Sequence, residues 1–413
     1  MTELSANPAT YSAVLKSAAG GDVITLAAGR YPATKLSKVA KEGVVTVTGA
    51  GAVLEGLTLT TCSGFRFTRL EFDLGVGKGY RIALQGAFDI HFDGCDFHGP
   101  AGAAAKDKTA LPSAISMLGG CSNISVVDNL FTDLDRACGG GGTGIVVARN
   151  KISGIRTDGM IWAEAVGIEI TDNEMSDFYP AGGAHPDGIQ FMTTGTKTAS
   201  SDILIARNSI QRGAGAAAQG IFLGDEVGTL PFRRVKILDN LLIGTGYQGI
   251  AVGHGEEVEI ARNELLSLEG KTNKTWILAR NVAGLKITDN AAIAITVEPT
   301  STAVENSGNE LNQPLVAGKA GAEQFAAWSA RVKAPEQPQD PAAAQIASLT
   351  ERLTEARAEL ASAQRTVAAL QDQVSNLTDE RDEAKRAEAN AQVMIEEIGK
   401  AALRAATMAG VSA

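Results

Sequence analysis

The chain has 413 residues, room for one large domain and a smaller one, and a formal net charge of −10. That charge argues against a nucleic-acid or anionic-membrane surface, and no apolar run reaches the roughly 18 residues of a membrane span. Gly at 46 residues and an aromatic content of 5% suit closely stacked turns around narrow coils.

The opening MTELSANPATYSAV has neither the basic start nor the apolar core of a conventional signal peptide, so none is expected. An amphipathic helix is expected from Tyr11 to Ala19, followed by a first strand in GGDVITLAAGRY (20–31). From there one pattern recurs: a few residues of alternating strand type, a polar residue, then Asn. It is weak in GFRFTRL (64–70) and DIHFDGC (89–95), where Leu70 and Cys95 replace the Asn. It is complete in NISVVDN (123–129), GIVVARN (144–150), GIEITDN (167–173), DILIARN (202–208), RVKILDN (234–240), EVEIARN (257–263) and GLKITDN (284–290). The repeated Asn129, Asn150, Asn173, Asn208, Asn240, Asn263 and Asn290 are spaced by 21, 23, 35, 32, 23 and 27 residues, with Asn309 marking a last coil. A period slightly above twenty residues, carried by strands without intervening helical patterns, specifies a β-solenoid. Alternation sends one set of side chains inward. Each Asn is expected to take the left-handed turn conformation and to bond its neighbour about 4.8 Å away in the next coil. One coil cannot bury its own apolar face, so roughly ten must stack.

The coil period, the Asn turns and the opening segment resemble right-handed parallel β-helix proteins of the pectate-lyase-like class, over roughly residues 10–312. The expected architecture is all-β. It comprises a capping segment (1–20), a β-helix (21–312), a helical and Pro-rich linker (313–343), a coiled coil (344–400) and a tail (401–413). The class implies the fold but no single function, since it holds lyases, hydrolases, epimerases and non-catalytic adhesins. Cys62, Cys95, Cys121 and Cys138 lack metal-ligand spacing and read as reduced, buried coil residues.

After a short helix in AEQFAAWSARV (322–332) and the linker APEQPQDPAAAQ (334–345), a heptad register begins. It runs through Ile346, Leu349, Leu353, Ala356, Leu360, Ala363, Val367, Leu370, Val374 and Leu377, and continues to Ile395 and Ile398. Such a stripe predicts an oligomeric coiled-coil rod of roughly 80 Å. A β-helix joined to a coiled coil resembles bacteriophage tailspikes and tail fibres. That resemblance implies a homotrimer in the virion tail, made in the host cytoplasm, with a bacterial surface polysaccharide and other tail proteins as partners.

Counting back fifteen residues from each ladder Asn selects one column, which holds Tyr80, Asp135, Asp158, Gln248 and Thr275. The motifs DGM (158–160), DGI (187–189), QGI (219–221) and QGI (248–250) align with it and add Asp187 and Gln219. Asp135, Asp158 and Asp187 then form three carboxylates on one exposed face. Carboxylates about 5 Å or about 9.6 Å apart match the spacings of retaining and inverting glycosidases, and their mutual repulsion would keep one protonated. His185, Gln190, Arg136, Glu164, Gln219 and Gln248 are candidate substrate contacts, and TTGTKTASS (193–201) and GDEVGTLPF (224–232) candidate groove walls. Two other readings of the acids remain open: turn capping by Asp before Gly, and a calcium site built from carboxylate oxygens. His91, His98 and His254 read as ordinary surface or turn residues. The functional alternatives are a tailspike-like protein that binds and hydrolyses a polysaccharide, a non-enzymatic tail or adhesin rod, and a polysaccharide lyase or epimerase. The acidic column favours hydrolysis, because lyases of this fold usually rely on Lys or Arg as base.

Overall fold

The computed structural model describes residues 2–105, 110–181, 185–246, 248–270, 274–315, 321–332, 390–401 and 404. The chain divides into two compact units, Met1–Ala344 and Gln345–Ala413.

The first unit is the expected right-handed parallel β-helix. Each complete coil has three strands, as in Gln219–Gly224, Phe232–Leu238 and Leu241–Ile243. The third strands form a 12-stranded sheet. The first and second merge where Ser113–Val127, Cys138–Ala148 and Met160–Thr171 bend continuously through the corner between them. Every strand pairs in parallel with its counterpart in the next coil. Thus Ile170 pairs with Ile205, Ile205 with Ile237, Ile237 with Ile260 and Ile260 with Ile287, all fully buried. Phe72, Phe97 and Phe131 stack in the same way beneath the third-strand sheet, with ring centroids 4.6 and 4.8 Å apart. The four cysteines are free and buried.

The Asn ladder is continuous. Oδ1 of Asn150 accepts from the backbone N–H of Asn129 at 2.9 Å and from its Nδ2 at 3.0 Å. The same double contact repeats through Asn173, Asn208, Asn240, Asn263 and Asn290 to Asn309. The left-handed turn, however, belongs to the preceding residue: Asp128, Arg149, Asp172, Arg207, Asp239, Arg262 and Asp289 have φ between 54° and 59°. This leaves the Asn amide free to point along the stack. The displaced residues alternate in charge, so Arg149, Arg207 and Arg262 each grip the Asp of the coil before with two hydrogen bonds.

Helix α1 (Tyr11–Ser17) covers one end of the core with Tyr11 and Leu15, and Tyr11 meets Tyr31 edge-on at 5.2 Å. Helix α2 (Ala322–Val332) packs against the outer face of the third strands. Its Trp328 is buried against Leu241, Ile243 and Leu266 and donates Nε1–H to the carbonyl of Asp239 at 2.8 Å. Those three leucine and isoleucine side chains point outward, which explains why α2 is needed there.

In the second unit residues 390–401 are helical, with Val393, Met394, Ile395 and Ile398 between 60% and 68% exposed. The remainder of the coiled coil expected over 344–400 lies outside the described residues.

Candidate functional site

The register of the first strands redraws the expected column. Met160 pairs with Ile189, which sets Asp158 opposite Asp187, and Asp187 pairs with Gln219. The Ile221–Ile250 pairing continues the line to Gln248. In the other direction Cys138 pairs with Met160 and Ile115 with Cys138, so Arg136 and Ser113 occupy the next two rungs and Tyr80 the third. Asp135 is therefore out of the column by one residue: its carbonyl accepts from Thr157 N–H at 3.0 Å. The reason is the irregularity at Gly140–Gly142: the next coil carries one more residue between Trp162 and Ala165, so Arg136 stands 14 residues before Asn150 where Asp158 stands 15 before Asn173, which defeats a fixed count. Thr275 is displaced likewise. Trp276 pairs with Gln248, while Thr275 is buried and donates its hydroxyl to the Thr245 carbonyl.

The glycines of the four motifs are not turn residues, since none has a positive φ. They stack where coils approach too closely for any side chain. A Cβ on Gly220 would lie 2.1 Å from the Gly249 carbonyl oxygen and 2.1 Å from Leu242 Cδ2.

Along the column the polar groups are linked. Arg136 Nε donates to Asp158 Oδ2 at 2.9 Å, and Asp158 Oδ1 accepts from the Asp187 backbone N–H at 3.2 Å. Asp187 Oδ1 accepts from Gln219 Nε2 at 3.0 Å, and that amide lies 3.3 Å from His185 Nδ1. Among the described residues the Asp135 side chain has a 3.9 Å approach to Arg136 and a hydroxyl contact from Ser113. Instead of an exposed groove, Asp158 and Asp187 are 5% and 1% exposed. Burial first, and the neighbouring Asp158 carboxylate second, push the Asp187 carboxyl up from 3.8 to about 8. Burial of the Arg136 guanidinium opposes its charge, but Asp158 beside it outweighs that, and its pKa is raised. Burial also pushes the Tyr80 hydroxyl up to about 12, with Arg136 working against it.

The other expected contacts divide. His185 is exposed and joins the set through Gln219, while Gln190 and Gln248 are half-buried. Glu164 is elsewhere, at the corner after the first strand. Its Oε1 accepts backbone N–H groups of Lys197 and Thr198, and these bonds, that of Lys197 foremost, lower its pKa. The 193–201 and 224–232 segments follow the first strand and so sit at the opposite end from Asp158 and Asp187. Among the described residues no group of three His, Cys, Asp or Glu side chains is placed to hold a metal ion. No described helix is long and apolar enough to cross a membrane.

Reading the sequence alone missed the partners of three histidines. His91 contacts Ser125 and Asp89, His98 contacts Glu71, and His254 Nδ1 lies 2.6 Å from Asp225 Oδ2. Ser125, Glu71 and Asp225 lie 27 to 34 residues away in the chain on neighbouring turns, so only the coil register brings them to their histidines, whereas Asp89 precedes His91 by two residues on the same strand.

Residues 55–265 match the family described as right handed beta helix region, and the chain belongs to that family. No curated protein sequence matches it. Among solved structures it is similar to an alginate lyase from Paenibacillus, with 13% identity, a TM-score of 0.47, and coverage of 75% of this chain and 99% of that one. It is also similar to a surface adhesin of Streptococcus pneumoniae, with 11% identity, a TM-score of 0.47, and coverage of 73% and 86%. The Dettilon tailspike protein matches at 13% identity and a TM-score of 0.40, over 72% of this chain and 62% of that one.

Proposed function

We propose that the protein is a tailspike-like or tail-fibre-like β-helix that binds a bacterial surface polysaccharide and hydrolyses it with the Asp158–Asp187 pair. The observation that carries this reading is the pair itself: adjacent rungs, one carboxylate held by Arg136 and one carboxyl that keeps its proton near neutral pH. Those are the two states a glycosidase needs at once. Rungs about 4.8 Å apart fall near the 5–5.5 Å of retaining enzymes and well short of the inverting spacing. Asp187 would protonate the leaving glycosidic oxygen while Asp158 attacks the anomeric carbon. Water then cleaves the glycosyl–enzyme bond with Asp187 as base. His185, the one exposed member of the linked set, is the first contact for an incoming sugar, and Gln219, Gln248 and Gln190 extend the polar line along the coils. Asp135 takes no part in proton transfer.

The burial of both acids supports a second reading, a non-catalytic rod in which the column is an internal polar spine and binding is the whole function. Under either reading the exposed apolar residues of 390–401 support assembly through the C-terminal coiled coil, as a trimer by the tail-protein resemblance. Incubation with capsule and lipopolysaccharide from candidate hosts separates these readings. New reducing ends indicate hydrolysis, absorbance from unsaturated uronates indicates a lyase, and binding without products indicates the rod.

A further inference from the structure

At the far end of the first strands, where the chain turns into the second, a pocket of about 420 Å³ opens between successive coils. That volume is within the range of small-molecule sites, roughly 300–1,000 Å³. Its wall carries Asp225, His254, Asn281, Thr300 and Thr302, and its apolar part includes the exposed Ala283. The Asp225 side chain in this wall is withdrawn from water, at 0% exposed. All of its acceptor capacity is directed. Oδ1 accepts from Thr193 Oγ1 at 2.8 Å and Gly228 N–H at 2.9 Å, and Oδ2 from Leu230 N–H at 2.9 Å and His254 Nδ1 at 2.6 Å. Burial alone would raise the Asp225 pKa, but these bonds, the His254 bond foremost among them, lower it to about 2. A permanent carboxylate at Nδ1 fixes the ring orientation and, in the neutral imidazole, the tautomer, leaving Nε2 as an acceptor.

We propose that this pocket is a saccharide-binding subsite in which His254 Nε2, oriented by Asp225, accepts a hydrogen bond from a sugar hydroxyl. The lining fits that ligand class better than a phosphate or a flat aromatic. A pyranose presents hydroxyls that both donate and accept, matched by an imidazole acceptor, the Thr302 hydroxyl and the Asn281 amide, and C–H edges that suit the Ala283 methyl. A buried carboxylate in the wall disfavours a polyanion. The subsite is separate from the acid pair, so it can hold a further unit of a bound chain or a free sugar whether or not the pair cleaves.

The test uses the full-length protein with its histidine rings selectively labelled, at about pH 8, where an ordinary imidazole is neutral. The probes are methyl glucoside, methyl galactoside, N-acetylglucosamine and glucuronate at millimolar concentrations. The expected result is a saturable shift of the His254 ring signal with at least one probe. His254→Ala and Thr302→Val should each weaken binding of that probe about 10-fold, or about 1.4 kcal/mol. Asp187→Asn should bind it as wild type does, whatever its effect on cleavage. If no probe moves the His254 signal, or if both pocket variants bind as tightly as wild type, His254 is a turn-stabilising ion pair and the subsite does not exist.

Discussion

At Asp187 the folded chain holds a carboxyl where water cannot stabilise its charge. The consequence is a pH dependence opposite in sign to that of most paired acids. Below about pH 4 the group is protonated both folded and unfolded and contributes nothing. Between about 4 and the folded value of about 8 only the folded state holds the proton, so stability falls by about 1.4 kcal/mol for each pH unit. Asp187→Asn should remove that slope: urea unfolding at pH 4.5, 6 and 7.5 should show wild type weakening with pH while the variant stays flatter. Equal slopes would mean that Asp187 is ionised in the folded protein. If the pair hydrolyses a glycan, the roughly 4.8 Å rung spacing predicts retention at the anomeric carbon, which proton NMR of the first product reads directly. Part of this site was legible in the sequence. DGM and DGI named Asp158 and Asp187, because identical motifs at the start of identical strands stack whatever the loop lengths. Asp135 was misassigned because a residue count assumes regular strands, and the irregularity near Gly140 breaks it. Burial was illegible, since it depends on how neighbouring coils cover the first strands.

Among the elements, the Asn turns and the glycine stack carry most of the specification. Asn208 accepts two hydrogen bonds from Asn173 and donates through Nδ2 to Asn240 and to the carbonyls of Ile170 and Ala206, all fully buried. Asn208→Ala should therefore cost roughly 2–4 kcal/mol, because it strands buried partners on two coils. At the last rung, half-buried Asn309→Ala should cost about 1 kcal/mol. Equal costs, measured by chemical denaturation, would mean that ladder position is immaterial. Gly220→Ala forces a methyl group against the backbone of the next coil and should destabilise by roughly 3 kcal/mol. The ladder was readable from its seven repeats, whereas the left-handed residue before each Asn was not. Asp and Arg both tolerate the turn, and their alternation becomes meaningful only once neighbouring coils pair their charges.

For the whole molecule, assembly and activity are the two open levels. The heptad stripe and the exposed Ile395 and Ile398 predict that full-length protein is an oligomer, a trimer by the tail-protein resemblance, and that ending the chain after Ala344 yields monomers in light scattering. A full-length monomer at micromolar concentration would remove the coiled coil from the account. Placing α2 required knowing that Leu241, Ile243 and Leu266 face outward, a fact hidden from strand alternation because the strand Leu241–Ile243 is apolar throughout and Leu265 and Leu266 are both apolar in the next. The central claim is that Asp158 and Asp187 cleave a bacterial surface polysaccharide. Its most direct test is the release of reducing ends from a host capsule or lipopolysaccharide by wild type and by Asp158→Asn and Asp187→Asn, with melting temperature and glycan binding followed in parallel. The account predicts release by wild type, loss of at least about 100-fold in both variants, and both variants folded at the assay temperature with glycan binding nearly unchanged. Undiminished release by both variants, or binding without release by wild type, would contradict it.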